Sequence, residues 1–143
     1  MAKIRLGSEE IKYITLFESI TGARVKDCVT VENSAGFLVE KGDMGLAIGK
    51  NGSNIERVRR IISKIIWVME YSDDINEFIR NLFHPVKIRQ IRIREINGDK
   101  IAIVEVNKRD RRRLIGQDGS RIKVARELAN RHFEIEDIKI NAK

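Results

Sequence analysis

The chain carries one short motif twice, and this repeat limits the possible folds more than any other feature. The pattern Ile-Gly-x-x-Gly-Ser-x-Ile occupies Ile48–Ile55 and recurs at Ile115–Ile122. The first glycines of the two copies, Gly49 and Gly116, lie 67 residues apart. A single GxxG occurs by chance in many proteins, whereas two copies with matching flanks indicate a duplicated unit of small-domain size.

The residues around the first motif predict the order helix–strand–strand–helix–GxxG–helix–strand. Ser8 is a possible N-cap of the first helix, and Asn33–Gly36 is a turn signal between the first two strands. The predicted elements are a helix at Ser8–Ile20, strands at Val25–Glu32 and Phe37–Lys41, a short helix at Asp43–Ile48, a longer helix after Gly52 with Ile65 on its apolar face, and a strand at Ile66–Tyr71.

The second motif lies in the same predicted order of elements. Asn97-Gly98 favours a hairpin with a type I′ turn, because both central residues of that turn need a positive φ. The predicted elements are a helix at Asp74–Leu82, a strand around Ile91–Arg94, a strand at Ile101–Val106, a short helix at Lys108–Ile115, a long helix at Ser120–Asn130 and a strand at Ile135–Ile140. We therefore expect an α+β fold with two tandem domains, residues 1–72 and 73–143.

The positive charge of the chain is concentrated in its second part. Among 143 residues there are 28 Lys/Arg and 21 Asp/Glu, which gives a net charge of +7. Residues 1–83 carry 12 basic and 12 acidic residues, whereas residues 84–143 carry 16 basic and nine acidic ones. Such a balance favours a polyanionic partner. On charge alone, a basic surface that only keeps the protein soluble is an equal alternative.

The first GxxG has the features of a site for a nucleic-acid backbone. Gly49 and Gly52 lack Cβ atoms, so a phosphate can approach the main chain closely. A helix begins just after the loop, and its first N–H groups and its dipole attract anions. Lys50 and Asn51 form the loop tip, where Lys50 adds a charge. Ser53 either caps the helix or donates to a phosphate, and capping is the preferred interpretation.

The flanks of this loop extend the predicted site. Ile48 and Ile55 would line a groove floor for bases, although core packing is the favoured interpretation of both. Arg57, Arg60 and Lys64 are predicted on the polar side of the following helix. Contact with a nucleic-acid backbone and simple exposure to solvent are equally good explanations of these three cations.

The second loop repeats the geometry with a different tip. Gln117 and Asp118 replace the lysine and asparagine, and a carboxylate beside a phosphate is repelled. Nearby cations, including Arg111, would offset this charge, or the loop binds weakly and its helices supply diffuse positive charge. The candidate residues of this site are Arg112, Arg113, Ile115, Gly116, Gln117, Gly119, Ser120, Arg121, Ile122 and Lys123.

These motifs resemble the KH family of type II topology, and more narrowly the tandem KH region of the NusA transcription termination/antitermination factors. The resemblance rests on "GDMGLAIGKNGSNI" (Gly42–Ile55), "VMEYSDD" (Val68–Asp74), "FIRNLFHPV" (Phe78–Val86) and "LIGQDGSRI" (Leu114–Ile122). The middle blocks matter most, because they are not part of the general KH pattern. The likeness covers nearly the whole chain and is to the short, KH-only form associated with archaea.

The resemblance implies a function in transcription. KH loops clamp the backbone of about four nucleotides, and the bases are read in an adjacent groove. It implies binding of single-stranded RNA and modulation of termination or antitermination through nascent RNA. RNA polymerase or its elongation complex is left open as a partner, because the polymerase-binding domain of bacterial members lies outside the resemblance. Asp118, where the family more usually has a basic or neutral residue, puts the second clamp in question.

The titratable residues give no indication of an enzyme. His84 and His132 lie in unrelated segments, and Cys28 is the only cysteine. The Asp73-Asp74 pair is explained by N-capping of a helix. No Walker A, dinucleotide or His/Cys metal motif occurs. We expect a non-enzymatic protein with no cofactor, no metal and no small-molecule substrate.

Two further expectations concern location and alternative functions. No apolar run approaches membrane-spanning length and the start lacks the apolar core of a signal peptide, so we expect a cytoplasmic protein with no membrane partner. A KH protein of ribosome assembly or RNA processing is the main alternative to a transcription factor. A protein-interaction module with relic GxxG loops is another, and the positive charge and Lys50 weigh against it.

Overall fold

The structure, a computed structural model, describes residues 6–143, so the first five residues of the predicted first domain lie outside it. The chain forms two compact units that meet between Asp73 and Asp74, and each is described here by itself. The predicted boundary after residue 72 stays a prediction, because compactness does not establish that each part folds independently.

The first unit is a three-stranded sheet with three helices. β1 pairs antiparallel with β2, and β2 pairs parallel with β3. The central strand therefore has hydrogen-bonded neighbours on both sides. The elements are α1 (Ser8–Thr21), β1 (Val25–Val31), β2 (Ser34–Val39), α2 (Met44–Ile48), α3 (Ser53–Ile62) and β3 (Ile65–Glu70).

The predicted turn at Asn33–Gly36 was wrong in its extent. The turn is only Glu32-Asn33, and Ser34–Val39 form the buried central strand. Glu32 adopts a positive φ of 53° there. Small residues favour turns in isolation, but here they allow a strand to lie between two neighbours, and tertiary packing overrides local propensity.

Two helix boundaries also differ from the prediction. Gly7 rather than Ser8 is the N-cap of α1, and its amide donates to Glu10 Oε1 at 2.9 Å. Ser63 adopts a left-handed conformation with φ 58° and ends α3, so Ile65 begins β3 instead of extending the helix. Hydrophobic spacing continues across this boundary, which is why periodicity alone did not place it.

The core of the first unit forms between the helices and one face of the sheet. Phe17 of α1 and Phe37 of β2 are fully buried and stack with ring centroids 4.3 Å apart. Val58 from α3 and Cys28 from β1 belong to the same cluster. Cys28 is fully buried, so it contributes to the packing of this core.

The second unit repeats this topology. β4 pairs antiparallel with β5, and β5 pairs parallel with β6. The Asp74 side chain accepts a hydrogen bond from the Glu77 amide at 2.9 Å and so caps α4. The elements are α4 (Ile75–Leu82), β4 (Gln90–Ile96), β5 (Asp99–Val106), α5 (Arg111–Ile115), α6 (Ser120–Phe133) and β6 (Ile135–Ala142).

The predicted hairpin between β4 and β5 is confirmed. Asn97 and Gly98 have φ values of 54° and 84°, so both central residues adopt the positive φ that a type I′ turn requires. With the helices and sheets of both units, this confirms the predicted α+β fold of two tandem units with the same order of elements. No helix among residues 6–143 is long and apolar enough to cross a membrane.

Replacing Phe37 by alanine should lower the free energy of unfolding of the first unit by about 3–5 kcal/mol, since the change leaves a cavity beside Phe17. Trp67, the only tryptophan, lies in β3 and reports unfolding of this unit by fluorescence during a urea titration. Ile61→Ala is the control, because Ile61 is 54% exposed and should lose about 0.5 kcal/mol or less. Equal losses in both variants would contradict this core assignment.

Candidate nucleic-acid interface

The two GxxG loops have nearly identical backbones. Gly49 has φ 77° and ψ 172°, and Gly116 has φ 78° and ψ 173°. The second glycines, Gly52 and Gly119, both have φ 74°. Each loop lies between a short and a long α-helix, and the amide of its second glycine donates to the carbonyl oxygen of its first, at 3.1 Å and 3.2 Å. The repeat seen in the sequence is therefore a repeat of the main-chain surface itself.

The first glycine of each loop is required by its backbone and by its surroundings. A φ near 77° with a ψ near 172° belongs to a region that is essentially restricted to glycine. A Cβ on Gly49 would lie 2.8 Å from the Asn54 amide nitrogen and 2.7 Å from its Cγ. A Cβ on Gly116 would lie 2.7 Å from Arg121 Cβ. The helix after the loop thus packs directly on this glycine.

The side chain two residues after the second glycine fastens each loop to the helix before it. Asn54 Nδ2 donates to the Leu46 carbonyl oxygen of α2 at 2.8 Å. At the equivalent place in the second unit, an Arg121 guanidinium nitrogen donates to the Arg113 carbonyl oxygen of α5 at 3.0 Å. Two chemically different side chains therefore make the same bond. The sequence prediction missed Asn54, whose only signal was its place within the repeat.

The third residue of each loop adopts a left-handed conformation. Asn51 has φ 53° and ψ 30°, and Asp118 has φ 56° and ψ 23°. Asn and Asp are the non-glycine residues that most readily occupy this region. The aspartate in the second loop is therefore well suited to the backbone, even though its charge disfavours a phosphate.

Ser53 is not the cap of α3, contrary to the preferred interpretation of the sequence. It has helical dihedral angles, the N-cap is Gly52, and no side chain caps this helix end. The equivalent end of α6 likewise has Gly119 as N-cap and no side-chain cap. Because the second glycine adopts a left-handed conformation, the serine is moved into the first helical turn. Ser53 is exposed, whereas Ser120 is buried.

The predicted residues of the first site lie in three different environments. Lys50, Arg57 and Arg60 are exposed, whereas Ile48 is half-buried and Ile55 belongs to the core. Lys64 was predicted on the helix, but α3 ends at Ile62. Its Nζ donates to the Glu32 carbonyl oxygen at 3.1 Å. Lys50 with the exposed face of α3 therefore makes up the basic part of this site.

The second site is richer in arginine. The side chains of Arg112, Arg113, Gln117 and Lys123 are exposed, Ile115 is half-buried and Ile122 is buried. Residues of α5 and the loop line an open pocket of about 420 Å³: Arg111, Arg112, Ile115, Gly116 and Gln117.

Arg121, also predicted to contact RNA, is half-buried and makes hydrogen bonds within the second unit. Besides its bond to α5, it donates to the His84 carbonyl oxygen at 3.0 Å. Burial, together with the nearby Arg113 charge, lowers the pKa of Arg121 to about 10. The guanidinium still carries its charge at neutral pH. Its position fits a residue that shapes the loop.

The two glycines of the first loop should differ sharply in their tolerance of alanine. Gly49→Ala combines backbone strain with a close contact to Asn54 and should lower the free energy of unfolding by about 4 kcal/mol. Gly52→Ala should cost about 1–2 kcal/mol, because only left-handed strain applies and the new Cβ would lie 3.8 Å from Ile55. Trp67 fluorescence during urea unfolding measures both values. Similar losses would contradict the packing described for Gly49.

The family models match both units of the chain. A model described as the KH domain matches residues 11–88, and one described as the NusA-like second KH domain matches residues 75–143. Among the residues that the structure describes, no group of three or more His, Cys, Asp or Glu side chains is placed to hold a metal ion.

Similar proteins match over nearly the whole chain. The probable transcription termination protein NusA of Methanocaldococcus jannaschii is 36% identical over 140 residues, which cover 98% of this chain and 76% of that protein. The protein of the same name from Halococcus morrhuae is 35% identical, with 96% and 99% covered. The crystal structure of APE1850 is 38% identical, covers 95% of this chain and 100% of that chain, and has a TM-score of 0.78. With its two GxxG units and these relatives, the chain belongs to the NusA-like family of tandem KH proteins.

Proposed function

We propose that this chain binds single-stranded RNA with its two GxxG loops and acts, without catalysis, in transcription termination. The observation that carries the proposal is that two loops with the same main-chain geometry each open a long helix that no side chain caps. The names of its relatives supply the transcriptional context.

The proposed contact is between the RNA backbone and the main chain of each loop. The first N–H groups of a helix have no intrahelical acceptor, and the helix dipole adds partial positive charge there. Gly49 and Gly52 let a phosphate reach these groups, and Lys50 at the exposed loop tip supplies a full charge. In the KH mode of binding, the bases lie in the groove beside the loop.

The two loops should contribute unequally. The first presents Lys50 to the phosphate, whereas the second presents Gln117 and the Asp118 carboxylate. The exposed side chains of Arg111, Arg112 and Arg113 on α5 surround the second loop with positive charge. That charge is less localised than the lysine of the first loop. We therefore propose the first loop as the stronger clamp.

Exchanging the loop tips tests this proposal with little change to the backbone. Lys50→Gln/Asn51→Asp gives the first loop the tip of the second, and Gln117→Lys/Asp118→Asn does the reverse. The exchange is well matched because Asn51 and Asp118 share the left-handed conformation, with φ 53° and 56°. Titration of a fluorescent RNA of mixed sequence at several salt concentrations measures the effect.

Each tip lysine that contacts a phosphate should change the slope of log K against log salt by about 0.7. The first exchange should therefore weaken binding and flatten this slope, and the second should strengthen binding and steepen it. Circular dichroism of both variants controls for folding. The proposal would be contradicted if neither exchange changed the affinity for RNA, or if the wild-type protein did not bind RNA.

The transcriptional role has a separate test. Tagged protein is purified from cells with and without nuclease treatment. RNA polymerase should co-purify only without nuclease, because nascent RNA is the proposed link. Enrichment of ribosomal subunits in place of polymerase would instead support the alternative in ribosome assembly.

A further inference from the structure

We propose a second RNA-binding surface on the sheet of the second unit, on the face opposite its core; this inference rests on the proposed RNA-binding function. The alternation along β5 places Ala102, Val104 and Val106 on the buried face. The pairing register then places a second set of side chains on the opposite face: Arg92 and Arg94 of β4, Asp99, Ile101, Ile103 and Glu105 of β5, and Asp137 and Lys139 of β6. We call this other face the basic sheet face.

Strand register brings three cations together on the basic sheet face. Arg92 pairs across β4 and β5 with Ile103, which pairs in turn with Lys139 of β6. Arg94 follows two residues after Arg92 on the same face, at about 6.8 Å along the strand. Lys139 lies two strands away from Arg92, at about 10 Å. Arg94 and Lys139 are exposed and Arg92 is half-buried.

Two of the three carboxylates on this face are paired with other cations, and the third, Asp99, lies at the hairpin end of β5. Glu105 forms an ion pair with Lys143 at 3.3 Å, and Asp137 forms one with Arg126 at 2.9 Å. Within residues 6–143, Arg92, Arg94 and Lys139 have no comparable intramolecular ion pair. The face and these flanking partners hold five cations and three carboxylates. Its positive charge is therefore available to a polyanion.

The equivalent sheet face of the first unit has a different chemistry. Register places Val29 and Asp27 of β1, Leu38 of β2 and Met69 of β3 on that face, and all four are buried. No Lys or Arg lies in these strand positions. The basic character is therefore specific to the second unit and does not follow from the shared fold.

The occupant that fits the basic sheet face is the phosphate backbone of RNA. The cations lie on the two outer strands of the sheet, with Ile103 of the central strand between Arg92 and Lys139 in the register. No aromatic side chain lies among these positions, so stacking of bases is not indicated, and backbone contact without sequence preference is what such a surface provides. An RNA longer than the four nucleotides of a KH footprint would use this surface as a further anchor.

The test compares the pair variant Arg94→Gln/Lys139→Gln with the control Lys12→Gln/Lys87→Gln. All four residues are exposed, and each pair lowers the net charge equally. Both variants and wild type are titrated with four-nucleotide and 20-nucleotide single-stranded RNA at several salt concentrations. Circular dichroism and Trp67 fluorescence confirm that both variants fold.

For the longer RNA, the pair variant should bind about tenfold more weakly at low salt and reduce the salt slope by about 1.4, which corresponds to two lost phosphate contacts. Its affinity for four nucleotides should equal that of wild type. Equal binding of the longer RNA by pair variant and control would overturn the inference. If the loop-tip exchange has no effect in the same assay, the proposed RNA-binding function itself fails. That result is distinct from failure of the sheet-face inference, in which the loop-tip exchange still changes RNA affinity.

Discussion

The shape of each loop depends on the close packing of one glycine against the helix that follows it. At Gly49 and Gly116, the main chain adopts a conformation that other residues avoid, and the next helix comes so near that a Cβ would overlap with the residue five positions on. The second glycine, itself in a left-handed conformation, is the N-cap of the following helix. The first amides of that helix therefore have no side-chain cap.

A single backbone frame therefore carries two different sets of side chains. The bond from the long helix to the short one is made by Asn54 in the first unit and by Arg121 in the second, with the same result for the loop. The tips and the sheet faces differ more. The first unit has a lysine at the loop tip and arginines on α3, whereas the second has no cation at the tip and distributes arginines over α5 and cations over its sheet. The two units share the loop geometry and differ in their electrostatics.

The repeat, the order of elements and the hairpin at Asn97-Gly98 were predictable from sequence, because periodicity and turn chemistry are local. The predictions were wrong where tertiary packing overrode local sequence preferences. Small residues at Ser34–Gly36 indicated a turn but form a buried central strand. Ser53 had the chemistry of a cap, yet the left-handed glycine before it took that position. The bonding of Arg121 to His84 joins residues 37 apart, which no local pattern reveals.

The most direct test of the backbone clamp is an NMR titration of ¹⁵N-labelled protein with a four-nucleotide RNA. If phosphate is held by the start of α3, the amide resonances of Lys50–Asn54 should shift most and saturate first. The amides of Gln117–Arg121 should follow at higher RNA concentration. The amide resonances of the exposed residues of α1 (Ser8–Thr21) should not shift. Largest shifts away from both loops, with the amides of Gly52 and Ser53 unmoved, would contradict the clamp.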